Sequence, residues 1–97
     1  MHARIGTLHV HTEDFERVLQ ILHQRVMPAA QRQPGFNAFV VMGNRDEGKM
    51  VGISLWETEE DMLASESSEC QQDQVSRIIT LLRRPPEFEA YEVVAMS

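Results

Sequence analysis

The sequence predicts an α+β fold, a ferredoxin-like β-α-β-β-α-β sandwich with two helices covering one face of an antiparallel sheet. Three observations predict it. Helical periodicity occurs twice, near residues 15–30 and 58–82, and β-rich segments flank and separate the two stretches in the required order. QPGF at 33–36 and Pro85-Pro86 punctuate the chain between helix and strand. The central strands FNAFVVM and KMVGISLW are apolar on both faces, whereas an antiparallel sheet facing water alternates apolar with polar. Two helices cover one side only, so a partner's sheet is expected over the other.

Taken in order, ARIGTLHVH (3–11) reads as the first strand. Thr12 is the expected N-cap of the first helix, with Glu13 and Asp14 where the helix dipole favours acids. From Phe15 the apolar residues fall at 15, 18, 19, 22, 26, 29 and 30, one stripe of a 3.6-residue helix. Pro28 removes a backbone donor inside that stripe, so a kink or a tightened last turn is expected near Val26. FNAFVVMGN and KMVGISLWE then form a hairpin closed by RDEGK. Alternation puts Phe36, Ala38, Val40 and Met42 on one side of the first strand, with Phe39 and Val41 on the other. In the second, Val51, Ile53 and Leu55 oppose Met50, Gly52, Ser54 and Trp56. Thr58 caps a second helix, which SESSECQQD weakens before Val75, Ile78, Ile79 and Leu82 resume the stripe. Arg83 and Arg84 suit its C-terminal end, Pro85-Pro86 stops it, and EFEAYEVVAM is the last strand.

A chain of 97 residues makes one domain, 1–97, with a thin core. The net charge is −6 and the nine Lys and Arg are scattered, so the basic stripe that a nucleic-acid partner requires is missing. No apolar run approaches the roughly 18 residues of a membrane span. MHARIGTLHV shows neither the apolar stretch nor the cleavage site of a signal peptide. The single cysteine, Cys70, reads as a bystander on a polar segment and suits a reducing cytoplasm.

The element order, the RQPGF turn after a Pro-interrupted helix, the SLWETEED junction and the PPEFEAYEVV tail together resemble the antibiotic biosynthesis monooxygenase superfamily. The resemblance covers essentially the whole chain and implies a dimeric α+β barrel, two sheets packed face to face, often with C-terminal strands exchanged. It also implies either oxidation of phenolic or quinol-like polyketides without flavin, haem or metal, or haem degradation. In the haem degraders the Trp at the strand end works with an Asn on the first strand and a haem-ligating His on the second helix. Trp56 matches the first, and Gly6 and Thr7 stand near the second. The third has no counterpart, since the four histidines are at 2, 9, 11 and 23. Ser65 and Glu66 stand where many non-haem members carry a His. A homodimer without cofactor is therefore expected.

Trp56 admits two readings: a core plug whose indole N–H finds a partner, or the wall of a site. Trp56 shares its strand face with Ser54 and Gly52, and small residues beside a large one leave room for a ligand. A pocket of Trp56, Phe15, Leu19, Met62 and Ser54 would exclude water and orient a small electron-rich aromatic, which supplies its own electrons once deprotonated. Arg4 or a strand His is the candidate to stabilise the anion, and His9 the candidate base. Tyr91 is a weaker catalytic candidate, more simply a residue of the dimer seam. His9 and His11 form an H-x-H pair, but nothing supplies further ligands and no metal site is expected. His23 is a flank residue, and ETEED a solvated helical turn. The expected function is cofactor-independent monooxygenation. The other reading is a non-catalytic dimeric ligand-binding or accessory protein, which a pocket with no titratable group near Trp56 would favour.

Overall fold

The computed structural model describes the backbone of all 97 residues and every side chain except those of Cys70 and Gln71. The bystander reading of Cys70 therefore lies outside the described side chains. Strand β1 (His2–His9) passes through a 3-10 turn (Thr12–Asp14) into α1 (Phe15–Ile21), a π-helical turn (Leu22–Val26) and α2 (Met27–Gln31). The hairpin is β2 (Phe36–Asn44) and β3 (Lys49–Trp56); α3 (Glu59–Glu66) and α4 (Glu69–Ile79) lead to β4 (Glu87–Glu92). The strands lie in the order β2-β3-β1-β4, each neighbouring pair antiparallel. Each helical segment thus joins two strands running the same way with one strand between them. This is the predicted ferredoxin-like α+β arrangement.

The helix ends follow the sequence unevenly. Thr58 Oγ1 accepts from the Asp61 N–H at 3.1 Å and caps α3 as expected. Thr12 does not cap α1. It sits inside the 3-10 turn, which closes when the Asp14 N–H donates to the His11 carbonyl at 2.9 Å. Nor does the first helix tighten before Pro28. It widens at Leu22–Val26, where the Met27 N–H reaches back five residues to the Leu22 carbonyl. Pro28 has no N–H to offer Gln24, and its ring crowds the carbonyl four residues back; one extra residue in the turn relieves both.

The helix-side core forms two clusters. Val10, Phe15, Val18, Leu22, Val26, Met50 and Ile78 make one, and Ala30, Trp56 and Met62 the other. The stripe read from the first helix is therefore the buried one, with Leu19 half-buried at its edge. On the opposite face Val40 and Met42 stay 52% and 49% exposed, paired with half-buried Ile53 and Val51. Phe36 breaks the expected alternation. A bulge between Phe36 and Ala38 brings it to Trp56, ring centroids 5.6 Å apart at 83°. Two turns rely on glycine, Gly35 (φ 78°) and Gly48 (φ 65°); a Cβ at Gly48 would run into the Val10 carbonyl oxygen. Among the described residues no helix is long and apolar enough to cross a membrane.

Candidate functional site

A hollow of about 80 Å³ lies between the helices and the middle of the sheet. It exists because Gly6 of β1 and Gly52 of β3 stand directly opposite each other and place no side chain over the sheet's centre. Rings from the flanking strands lean into the space. A Cβ at Gly6 would come within 3.0 Å of Phe88, and one at Gly52 within 3.3 Å of Phe39. Along β3 the floor runs from Met50 to Trp56. The roof is Leu22 and Val26 of the π turn, Ser65 of α3, and Val75, Ile78 and Ile79 of α4. Leu82 and Pro86, on the strap between α4 and β4, line the remaining side.

Trp56 is 2% exposed and its Nε1–H donates to Ser54 Oγ at 3.0 Å, two residues back on the same face. The indole's one polar atom is thus satisfied inside the protein. Phe36 meets it edge-on, and Ala30 and Met62 share its cluster. Plug and wall prove compatible: Trp56 is a fixed core side chain and also a surface of the hollow. Among the described residues, Arg4 is the one titratable side chain on the wall. It pairs across the strands with Ser54, its Nε lies 3.0 Å from Glu66 Oε1, and its Cζ sits 4.2 Å over the Phe88 ring. Burial lowers its pKa and the Glu66 charge raises it, the first effect being larger. The guanidinium remains a cation at neutral pH.

Of the other expected pocket residues, Ser54 lines the hollow, whereas Phe15, Leu19 and Met62 do not. Phe15 packs over Gly43 at the hairpin end of β2, with Arg45 Cζ 4.8 Å above its ring. Leu19 borders a separate surface depression, and Met62 packs against Trp56 from within the second cluster. Helical periodicity identifies a buried face but not the level of the sheet it meets. Most of the remaining wall was not assigned to a site from the sequence, Gly6, Ser65 and Phe88 among it. A glycine in mid-strand was the available signal, because it marks open space or a close approach.

His9 lies outside the hollow, at the end of β1 opposite Lys49. An Arg84 amino group stands 3.1 Å from both ring nitrogens, and the His9 carbonyl accepts the Arg83 N–H at 2.7 Å. Burial first, then the charges of Arg84, Lys49 and Arg83, hold the imidazole below its ordinary pKa against the opposing pull of Glu87. A guanidinium beside the ring also repels a metal ion. His11 is exposed, and among the described residues no group of three or more His, Cys, Asp or Glu side chains is placed to hold a metal. Tyr91 is 52% exposed on β4; its hydroxyl donates to Glu89 at 2.9 Å, and that bond with the Glu89 charge raises its pKa. Neither residue meets Arg4 or Trp56 at the hollow.

No curated protein sequence matches the chain significantly. Among solved structures it is similar to a candidate antibiotic biosynthesis monooxygenase from Nitrosomonas europaea, with a TM-score of 0.83 and 17% identity over 98% of this chain and 100% of that one. It is also similar to Rv0793 from Mycobacterium tuberculosis (TM-score 0.82, 14% identity, 99% and 97% covered). A third is SnoaB, a cofactor-independent oxygenase from Streptomyces nogalater (TM-score 0.79, 18% identity, 98% and 94% covered). Identities this low show a shared fold alone. The sequence itself goes further: residues 1–90 match the profile of the antibiotic biosynthesis monooxygenase family, and the chain belongs to that family.

Proposed function

We propose that this chain is a cofactor-independent monooxygenase that works as a homodimer on a small electron-rich aromatic, a quinol or phenol of polyketide type, held beside Trp56. The observation that carries the reading is the hollow itself, apolar over most of its wall, faced by a buried indole and supplied with one cation. Family membership supports the reaction class, and the likeness to SnoaB supports it by analogy of fold. Once a phenol or quinol loses a proton, the anion passes an electron to O2, ring radical and superoxide combine to a peroxide anion, and return of the proton gives a hydroperoxide. Its collapse leaves one oxygen as a new carbonyl; the other departs as water with two substrate hydrogens. The protein's part is to exclude water, stack the ring and stabilise negative charge. The apolar face around Val40, Met42, Val51 and Ile53 supports the dimer.

The test is O2 uptake with an anthrone or naphthoquinol. Consumption well above autoxidation, lost in Trp56→Phe, is the expected result. Binding that quenches Trp56 without O2 uptake above the blank would instead establish the non-catalytic ligand-binding reading. One feature favours that alternative: among the described residues no carboxylate or imidazole lines the hollow to serve as a base.

A further inference from the structure

We infer that the hollow selects aromatic ligands bearing an anionic oxygen, a carboxylate or a phenolate, and that Arg4 is the residue that selects them. The inference rests on the preceding reading that an aromatic occupies this space. Fifteen Asp and Glu are present in the chain, yet among the described residues none lines the hollow, and neither does any Asn or Gln. The wall's polar side chains are Arg4, Ser54 and Ser65. Arg4 has donors only. Glu66 occupies its Nε edge at 3.0 Å, and its terminal amino groups form no hydrogen bond with any described residue. Ser54 Oγ accepts the indole N–H, which leaves its own O–H to donate. Arg4 thus offers only protons and positive charge, the two hydroxyls can each add a donor, and the natural complement of this set is an oxygen that carries negative charge.

Arg4 is also held in place before any ligand arrives. Glu66 fixes one side, and the Phe88 ring lies beneath it at 4.2 Å. Phe88 reaches that position because its cross-strand partner, Gly6, has no Cβ to keep it away. A preorganised donor loses little freedom on binding, and apolar walls strengthen its pull. A neutral isostere gains neither advantage. Glu66 shares the guanidinium's charge, so it moderates the attraction for a bound anion.

The test follows Trp56 fluorescence with two matched pairs. Salicylate against salicylamide reports on a carboxylate; lawsone, an enolate at neutral pH, against its neutral methyl ether reports on a phenolate-like oxygen. The anion of at least one pair should bind about tenfold more tightly than its partner, the scale of a charge-assisted hydrogen bond. The preference should vanish in Arg4→Gln. It should also vanish in Arg4→Gln/Glu66→Gln, which leaves no unpaired carboxylate to endanger folding. Glu66→Gln alone should tighten anion binding severalfold, a change that a merely structural Arg4 would not produce. Equal affinity for acid and neutral partner, or a preference that survives the double substitution, overturns the inference while O2 uptake with a neutral quinol still supports the monooxygenase reading. Glu66→Gln weakening the anion also overturns it. Absence of quenching by all of these probes overturns this inference together with the pocket it rests on.

Discussion

Ser54→Ala tests how the indole wall is held. The hydroxyl is the partner of Trp56 Nε1 at 3.0 Å, and both residues are buried. Removing it leaves a buried N–H without an acceptor, which costs about 1–3 kcal/mol. Trp56→Phe removes the same hydrogen bond along with the edge contact to Phe36 and packing on Ala30 and Met62. A core shape change of that kind costs roughly 1–3 kcal/mol, to which the lost bond adds about 0.5–1.5 kcal/mol. In a domain of this size each kcal/mol moves the melting temperature by about 4–8 °C, so Ser54→Ala alone should lower it by at least ~4 °C. Urea denaturation followed by circular dichroism on both single variants and the double variant measures the coupling. The double variant should be less destabilised than the sum of the singles by about 1 kcal/mol. If the singles add to within ~0.3 kcal/mol, the serine does not hold the indole. The N–H then finds water instead, and the wall is wet.

Three more expectations follow from the fold. Light scattering at micromolar concentration should give a dimer mass, and Val40→Asp should give a monomer or aggregate; a wild-type monomer would refute the partner-covered sheet. His9, with its folded pKa below the ordinary 6.5, keeps fewer protons folded than unfolded. Its contribution is intact above that value and is lost as pH falls below it. His9→Gln should therefore flatten the stability decline as pH falls below about 6.5, and parallel declines in both proteins would refute the assignment. Gly48→Ala places a Cβ against the Val10 carbonyl at a left-handed residue, and should cost at least ~1–2 kcal/mol. An unchanged thermal midpoint would show that the turn relaxes.

Much of the architecture was legible because its signals are local. The 15-18-22-26 stripe, the Thr58 cap and the QPGF turn each depend on residues a few places apart, and each sits where the sequence put it. Placing Trp56 with Ser54 and Gly52 on one strand face required only the two-residue period. What stayed hidden depends on register between distant segments. Gly6 meets Gly52 only because β1 pairs with β3 in one particular alignment, and that alignment creates the hollow. The Phe36 bulge moves a ring that strict alternation had assigned to the other face. Pro28 announced a disturbance in the first helix, but a tighter or a wider turn could each answer the missing N–H, and the chain takes the wider one at Leu22–Val26.

The hollow's size has a kinetic consequence. A cavity of roughly 150 Å³ accepts a single benzene ring. The space beside Trp56 is about 80 Å³, so an aromatic cannot simply diffuse in. A wall must move first. The floor is fixed by hydrogen-bonded strands on both sides of β1, whereas α4 and the strap carrying Leu82 and Pro86 are joined to it by fewer ties. Stopped-flow quenching should then rise with ligand concentration only to a plateau set by the opening rate of that wall. The plateau belongs to the protein, so ligands of very different affinity would share it. They would differ in how long they remain once the wall has closed behind them.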